Sequence, residues 1–162
     1  GGNPNSEKIR KLILNNKSTF NKSTDLLLYL ASRSENIELI KKNFKKKIIL
    51  IDRFTDSTIA YQHYGMGIDL RFINLINQFL LKNIKPDFTF VNLVNKKNMY
   101  IRLSKRKNLN RYDKFRDKFY EKVQKGFSKI VKKNPTKYMV VDSNRDIHSN
   151  KKLILTKINK LI

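Results

Sequence analysis

The residues best suited to chemistry follow directly after a short apolar run. The run at 47–51 (KIILI) is followed by the pair Asp52 and Arg53. Continuous apolar runs of this length are typical of buried parallel strands, and open parallel sheets bind ligands at the carboxyl ends of their strands. An aspartate there supplies an acceptor, and an arginine can hold a phosphate through two parallel hydrogen bonds. The residues alone leave two interpretations open, a phosphate clamp or an ion pair that caps the strand.

The apolar pattern also predicts the elements that would position this pair. We expect strands and helices over these ranges: strands at 47–52, 88–94 and 138–142, and helices at 6–14, 25–44, 69–83, 96–107, 113–133 and 149–162. Ser6 is the expected N-cap of the first helix, Asp25 the expected start of the second, and 53–67 an expected loop. Strands that alternate with helices predict an α/β fold with a parallel sheet, in one domain over 1–162.

Composition excludes several classes of site. The chain has no cysteine and only two histidines, so it can form neither a disulfide framework nor a thiolate metal site. A histidine-rich zinc site is not expected either, and no metal-binding residue is assigned. No run approaches the roughly 20 apolar residues of a membrane span, and the first residues lack the apolar segment of a signal peptide. A cytoplasmic protein without a membrane partner is therefore expected.

The net charge of +23 raises the possibility of nucleic-acid binding. Only 9 of the 36 basic residues are arginine, however, and arginine is the residue that reads bases and holds phosphates in a fixed geometry. Lysine, asparagine and isoleucine are abundant together, as in proteins from A/T-rich genomes. The charge is therefore interpreted as largely compositional, and a basic, non-catalytic nucleic-acid-binding module stays open as an alternative.

A longer pattern surrounds the Asp-Arg pair. The stretch 52–62 (DRFTDSTIAYQ), followed by 65–68 (GMGI), resembles the thymidylate kinase signature DR[YF]xxSxxAYQ…GxGI. Other segments resemble further parts of the same family, in the same order: 1–10 (GGNPNSEKIR) its EPGGTxxGExIR segment, 27–33 (LLYLASR) its LLFxAxR helix, 86–89 (PDFT) its PDLT strand start, and 110–113 (NRYD) its lid. The resemblance extends over essentially all 162 residues.

The resemblance implies a three-layer P-loop nucleoside-monophosphate kinase fold with a parallel sheet in the order 2-3-1-4-5, and a lid at about 102–117. Family members begin with strand 1 and a GxxGxGKST-type phosphate loop, whereas this chain contains no Gly-Lys-Ser or Gly-Lys-Thr. Strand 1 would lie between the runs at 47–52 and 88–94. We therefore expect that strand 1 and the phosphate loop are absent from this chain, and that the chain alone folds poorly and is inactive.

The family's residue roles transfer to positions that match its motifs. The dTMP site would comprise a ring that stacks on thymine, donors and acceptors around the base, a ring over the deoxyribose and phosphate-binding arginines: Tyr29, Arg33, Thr58, Gln62, Tyr61, Arg53 and Arg10. The catalytic residues would be the clamp Arg53, Asp52 near the metal and phosphates, and two lid arginines, Arg106 and Arg111. From the residues alone, Tyr29 as a core aromatic and Arg106 in a solvated basic loop are open alternatives.

Taken together, the resemblance implies phosphoryl transfer from ATP to dTMP, giving ADP and dTDP. It also implies Mg²⁺ and ATP as co-reactants, a homodimer, and no specific nucleic-acid partner. Two alternatives are kept: the basic nucleic-acid-binding module, and a catalytically dead remnant that binds a nucleotide.

Overall fold

The computed structural model describes residues 2–162. Along the chain these residues form seven α-helices, one π-helix and two strands: α1 Pro4–Leu14, α2 Lys22–Asn43, α3 Thr55–Thr58, the π-helix Ile59–Gly65, α4 Leu70–Leu81, β1 Thr89–Leu93, α5 Lys96–Ser104, α6 Asp117–Lys133, β2 Tyr138–Asp142 and α7 Ile147–Ile158. Single 3₁₀ turns lie at Tyr112–Lys114 and Pro135–Lys137. The predicted helices are confirmed, with ends that shift by a few residues.

The structure divides into two compact units. The first comprises the chain up to Lys85 together with Leu109–Phe127, and the second comprises Pro86–Asn108 with Ser128–Ile162. The core of the first unit joins Leu26 and Leu30 of α2 to Ile73 of α4, with four partly buried neighbours: Ile59, Ile68, Ile76 and Leu80. This core holds α2, α4 and the π-helix together. The single domain over 1–162 stays a prediction.

Asparagine side chains, and not the predicted residues, start the first two helices. Asn3 accepts a hydrogen bond from the Asn5 amide, and Asn21 accepts from the amides of Ser23 and Thr24. Each cap satisfies donors that would otherwise have no partner in the helix. Ser6 is instead fully buried and bonds Ser32 at 2.7 Å, and Asp25 lies inside α2.

The second unit contains a parallel pair of strands. β1 pairs with β2 in a register that sets Thr89 opposite Tyr138 and Leu93 opposite Asp142. Both lie within the ranges predicted from the sequence, and Asn95 caps the following helix by accepting from the Asn98 amide. The chain thus combines helices with a small parallel sheet, consistent with the α/β fold that the sequence predicts.

The predicted strand at 47–52 is wrong for the described residues. This run has no strand assignment and remains largely exposed, with Leu50 at 82% and Ile48 at 67% of their full accessible area. A strand requires a neighbour that accepts and donates ladder hydrogen bonds. Within 2–162 the sheet contains only β1 and β2, so the run lacks that neighbour.

The predicted loop at 53–67 is also wrong over most of its length. The short helix α3 leads directly into the π-helix Ile59–Gly65. The wider turn shows in the backbone, where the Met66 amide donates to the Tyr61 carbonyl at 3.0 Å. Single π-helical turns are rare and occur frequently at functional sites. The signature residue Thr58 therefore ends α3, and Tyr61 and Gln62 lie on the π-helix that follows it.

Candidate functional site

Arg33 on α2 is held in a fixed orientation by α3, α4 and the preceding loop. Its Nη2 donates to the Thr58 hydroxyl at 2.6 Å and to the Phe54 carbonyl at 3.0 Å, and its Nη1 donates to the Asn77 amide oxygen at 3.1 Å. Three of its five N–H donors are thereby engaged. Loss of hydration lowers the pKa of Arg33 to about 10. The guanidinium stays charged at neutral pH and keeps donors for a ligand.

Gln62 presents a buried donor that no described residue satisfies. Its side chain is 2% exposed, and Nε2 has no hydrogen-bond partner among residues 2–162. Thr58, one turn earlier, is 3% exposed and already accepts from Arg33. A buried polar group without a partner costs about 1–3 kcal/mol. A ligand acceptor, such as a base carbonyl, would remove that penalty.

Arg53 stands in a strained backbone conformation directly after the apolar run. Its φ of 66° lies in the left-handed region, which residues other than glycine rarely adopt. Its guanidinium carbon lies 5.0 Å from the centre of the Tyr61 ring. Strain of this kind persists only where surrounding contacts enforce it, and it clusters at ligand sites. Arg53 and Tyr61, predicted for the same site, are therefore in contact.

Tyr29 and Tyr61, predicted to contact the nucleoside, both contact Tyr112. The centre of the Tyr112 ring lies 5.9 Å from that of Tyr29 and 6.2 Å from that of Tyr61, with edge-on geometry in both pairs. Burial raises the pKa of Tyr112 and of Tyr29. Both hydroxyls therefore stay protonated at neutral pH. Tyr29 is half-buried.

Arg111, predicted as a lid arginine, contacts α2 in the structure, and its lid role stays a prediction. It forms an ion pair with the buried carboxylate of Asp25, and both side chains are largely removed from solvent. The lid prediction requires a guanidinium that is accessible to nucleotide phosphates. The structure instead engages it with α2, because the Asp25 carboxylate needs a cation to compensate its lost hydration.

The remaining predicted residues lie on the surface of the units to which they belong. Asp52 is exposed beside Arg53, and Arg10 is exposed on α1. Arg106 is exposed after the end of α5 and belongs to the second unit. The phosphate, metal and lid roles of these three residues stay predictions.

Sequence reasoning missed four residues that hold the site together. Asn77 and the Phe54 carbonyl orient Arg33, while Asp25 and Tyr112 support the aromatic cluster. One signal was available for Asp25, a carboxylate directly before the apolar run 26–28 of a predicted helix. Phe54 stands in the DR[YF] part of the signature, whereas Asn77 has no local signal, because it acts through a contact distant in sequence.

A comparison with known protein families shows to which family this chain belongs. The thymidylate kinase family model matches residues 1–154. The chain belongs to the thymidylate kinase family. It is 40% identical to a thymidylate kinase of Mycoplasma capricolum over 154 residues, covering 91% of this chain and 71% of that protein. It is 37% identical to a thymidylate kinase of Mesoplasma florum, covering 98% of this chain and 79% of that protein.

A solved thymidylate kinase confirms the predicted fold class. The crystal structure of the Ehrlichia chaffeensis thymidylate kinase matches with a TM-score of 0.75 and 32% identity, covering 98% of this chain and 76% of that chain. As a thymidylate kinase family member, the protein is a nucleoside-monophosphate kinase, a phosphotransferase with an α/β fold. Within 2–162 no helix has both the length and the apolar character needed to cross a membrane.

Proposed function

We propose that this protein phosphorylates dTMP at the expense of ATP, giving dTDP and ADP, in the cytoplasm. The reaction is supported by the match to the thymidylate kinase family model and by relatives that are thymidylate kinases. The observation that carries the substrate is the buried, unsatisfied amide of Gln62, one turn after Thr58, whose hydroxyl accepts from Arg33 of α2. We propose that these groups bind the nucleoside, whose acceptors would satisfy the Gln62 amide.

Base recognition would divide among three side chains. Tyr29 stacks on thymine through its accessible face, since an aromatic ring offers area and fixed geometry. Arg33 donates to O4 with an N–H that the protein leaves available, and Gln62 completes the contacts around O4 and N3. Tyr61 covers the deoxyribose, where its bulk disfavours a 2′-hydroxyl. Cytosine carries an amino group in place of O4. This donor would face the donors of Arg33 and Gln62, so dCMP should bind more weakly than dTMP.

The transfer itself needs positioning more than proton removal. A non-bridging oxygen of the dTMP phosphate attacks the γ-phosphorus of ATP, and the bond from that phosphorus to the β–γ bridging oxygen breaks, releasing ADP. The attacking oxygen is already anionic, so no general base is required. Arg53 holds the acceptor phosphate in line, with Arg10 as a secondary contact. Positioning and charge neutralisation supply most of the catalysis in such reactions.

ATP is proposed to arrive as its Mg²⁺ complex. Residues 2–162 contain no group of three or more acidic or histidine side chains that could hold a metal alone. Mg²⁺ commonly keeps several waters and is bound by one or two carboxylates plus substrate phosphates. Asp52 is the carboxylate that we place near it, and Arg106 is proposed as the lid cation over the phosphates.

Replacing Arg33 with alanine is expected to weaken dTMP binding by about 1.5–3 kcal/mol, the usual loss for a charged hydrogen bond. Calorimetric titration with dTMP and with dCMP measures this in the full gene product, meaning the chain with any further residues that its gene encodes. The parent should prefer dTMP clearly, and Arg33→Ala should lose most of that preference.

The matched control is Arg71→Ala, which removes an arginine that is 93% exposed and pairs only locally with Asp69. It should bind dTMP like the parent. Equal binding of dTMP and dCMP by the parent would refute the base assignment.

A homodimer is proposed from an exposed apolar stripe on α4. Phe72, Leu75 and Phe79 share one face of this helix and are 43%, 62% and 76% exposed. The opposite face of α4 packs into the core through Ile73. Contiguous exposed apolar surface on a soluble protein commonly marks an interface. A second copy of the chain is the partner that the family resemblance implies.

The double change Leu75→Glu and Phe79→Glu is expected to convert the dimer to a monomer, because it buries two charges in the proposed interface. Sedimentation velocity at micromolar concentration measures the species. Ile147→Glu, at a residue that is 85% exposed in the second unit, is the control and should leave the mass unchanged. A monomeric parent would contradict the proposal.

A further inference from the structure

Asp25 carries a buried charge at the base of the predicted nucleoside residues. The residue is 2% exposed, although it lies in the first turn of α2, where carboxylates are usually solvated. A carboxylate is almost never fully buried unless it is paired. Its partners are Arg111, through both carboxylate oxygens, and the Tyr112 hydroxyl, which donates to Oδ2 at 3.2 Å.

Arg111 is enclosed by its own unit. Besides Asp25, it donates from Nη1 to the Ser18 carbonyl at 3.4 Å. Its guanidinium carbon lies 5.8 Å from the centre of the Phe20 ring and 5.4 Å from that of Tyr112. Only 12% of its side chain is exposed. Arg111 therefore cannot reach nucleotide phosphates without leaving a buried carboxylate unpaired.

Tyr112 connects this ion pair to the nucleoside residues. Asp25 anchors its hydroxyl, and the Tyr120 hydroxyl donates to its backbone carbonyl at 2.6 Å. Its ring then contacts both Tyr29 and Tyr61 edge-on. Displacement of the Tyr112 ring would remove support from two groups that we place against the base and the sugar.

We propose that Asp25, Arg111 and Tyr112 form a positioning cluster for the nucleoside site, in which Arg111 neutralises Asp25 and does not bind ATP phosphates. The proposal rests on the proposed function, since it assigns a purpose to the orientation of Tyr29 and Tyr61. It makes Arg111 a positioning residue and leaves the lid contact to Arg106.

The test compares a variant that removes the charge of Arg111 alone with a variant that removes the charges of both Arg111 and Asp25. Arg111→Gln leaves Asp25 buried and unpaired, whereas the double variant Asp25→Asn, Arg111→Gln replaces the ion pair by two amides. Steady-state kinetics of the full gene product give KM for dTMP and for ATP, at a temperature well below the lowest midpoint of thermal unfolding. Calorimetry with dTMP runs alongside, and Arg71→Gln, an exposed arginine, is the control.

Arg111→Gln should raise KM for dTMP about tenfold, the order expected when a binding group moves by a fraction of an ångström, with KM for ATP unchanged. The double variant should recover most of the affinity for dTMP. Tyr112→Phe, which keeps the ring but loses its anchor, should raise KM for dTMP with little change in kcat.

Three results would overturn the proposal: a raised KM for ATP in Arg111→Gln, failure of the double variant to recover, or lowered unfolding temperatures with unchanged KM for dTMP. A parent that binds dTMP without turnover refutes the proposed reaction, while its calorimetry still decides the positioning role. A parent that neither binds nor phosphorylates dTMP would overturn both the proposed reaction and the positioning role.

Discussion

Replacing Arg53 with lysine is expected to lower kcat/KM for dTMP about 100-fold, with losses in both affinity and turnover. Lysine keeps the positive charge but loses the planar fork that binds two phosphate oxygens at once. Lysine also cannot reproduce the contact of a flat guanidinium with the Tyr61 ring, 5.0 Å away. The acceptor phosphate would then be held by a point charge and would sample orientations unsuited to in-line attack.

Steady-state kinetics of the full gene product at varied dTMP measure this effect. The same substitution at Arg71, which is 93% exposed, is the control and should leave both constants unchanged. Because the backbone strain at residue 53 is present with either side chain, the two proteins should unfold at similar temperatures. Parent-like kinetics of Arg53→Lys would show that the clamp role is wrong.

The 162-residue chain by itself is expected to form no dTDP from ATP and dTMP, and to unfold without a cooperative transition. It contains no Gly-Lys-Ser or Gly-Lys-Thr, so the backbone amides and the lysine that hold ATP phosphates in such enzymes are not supplied by these residues. Arg33, Arg53 and Gln62 would still form the dTMP-binding part of the active site. Catalysis needs both substrates held in one geometry.

The expectation of poor folding depends on the apolar run at 47–51. Ile48 and Leu50 are exposed, and within 2–162 no strand pairs with this run. Each large apolar side chain that stays exposed forgoes about 1.5–3 kcal/mol of burial free energy, and a domain has only about 5–15 kcal/mol of total stability. Exposed apolar edges of this kind also favour aggregation.

The experiment compares residues 1–162 with a chimaera that carries a strand and a GxxGxGKST-type phosphate loop before residue 1. Thermal unfolding, amide hydrogen exchange and ATP-dependent dTDP formation are recorded for both. The chimaera should melt cooperatively, protect amides at 47–51 and turn over. For residues 1–162 alone, a cooperative melt with those amides protected would contradict the folding prediction, and turnover above background would contradict the catalytic one.

The sequence alone was sufficient for the family, the fold class and the confirmed strands. The ordered match from Asp52 to Ile68 indicates a substrate class, which no single residue could indicate by itself. The runs at 88–94 and 138–142 became β1 and β2 because each has the other as a hydrogen-bonded neighbour. Helices were equally predictable, since a helix makes its backbone hydrogen bonds within its own segment.

Only the tertiary structure decided what depends on partners far along the chain. The run at 47–51 has the composition of a strand, yet a strand exists only where another one pairs with it. The sequence predicts a lid role for Arg111, whereas its ion pair with Asp25, 86 residues earlier, is visible only in the folded chain. The unsatisfied amide of Gln62 is likewise visible only once its surroundings are known. Periodicity and motifs record local preferences and family descent, whereas pairing, burial and charge compensation arise from contacts that the folded chain makes.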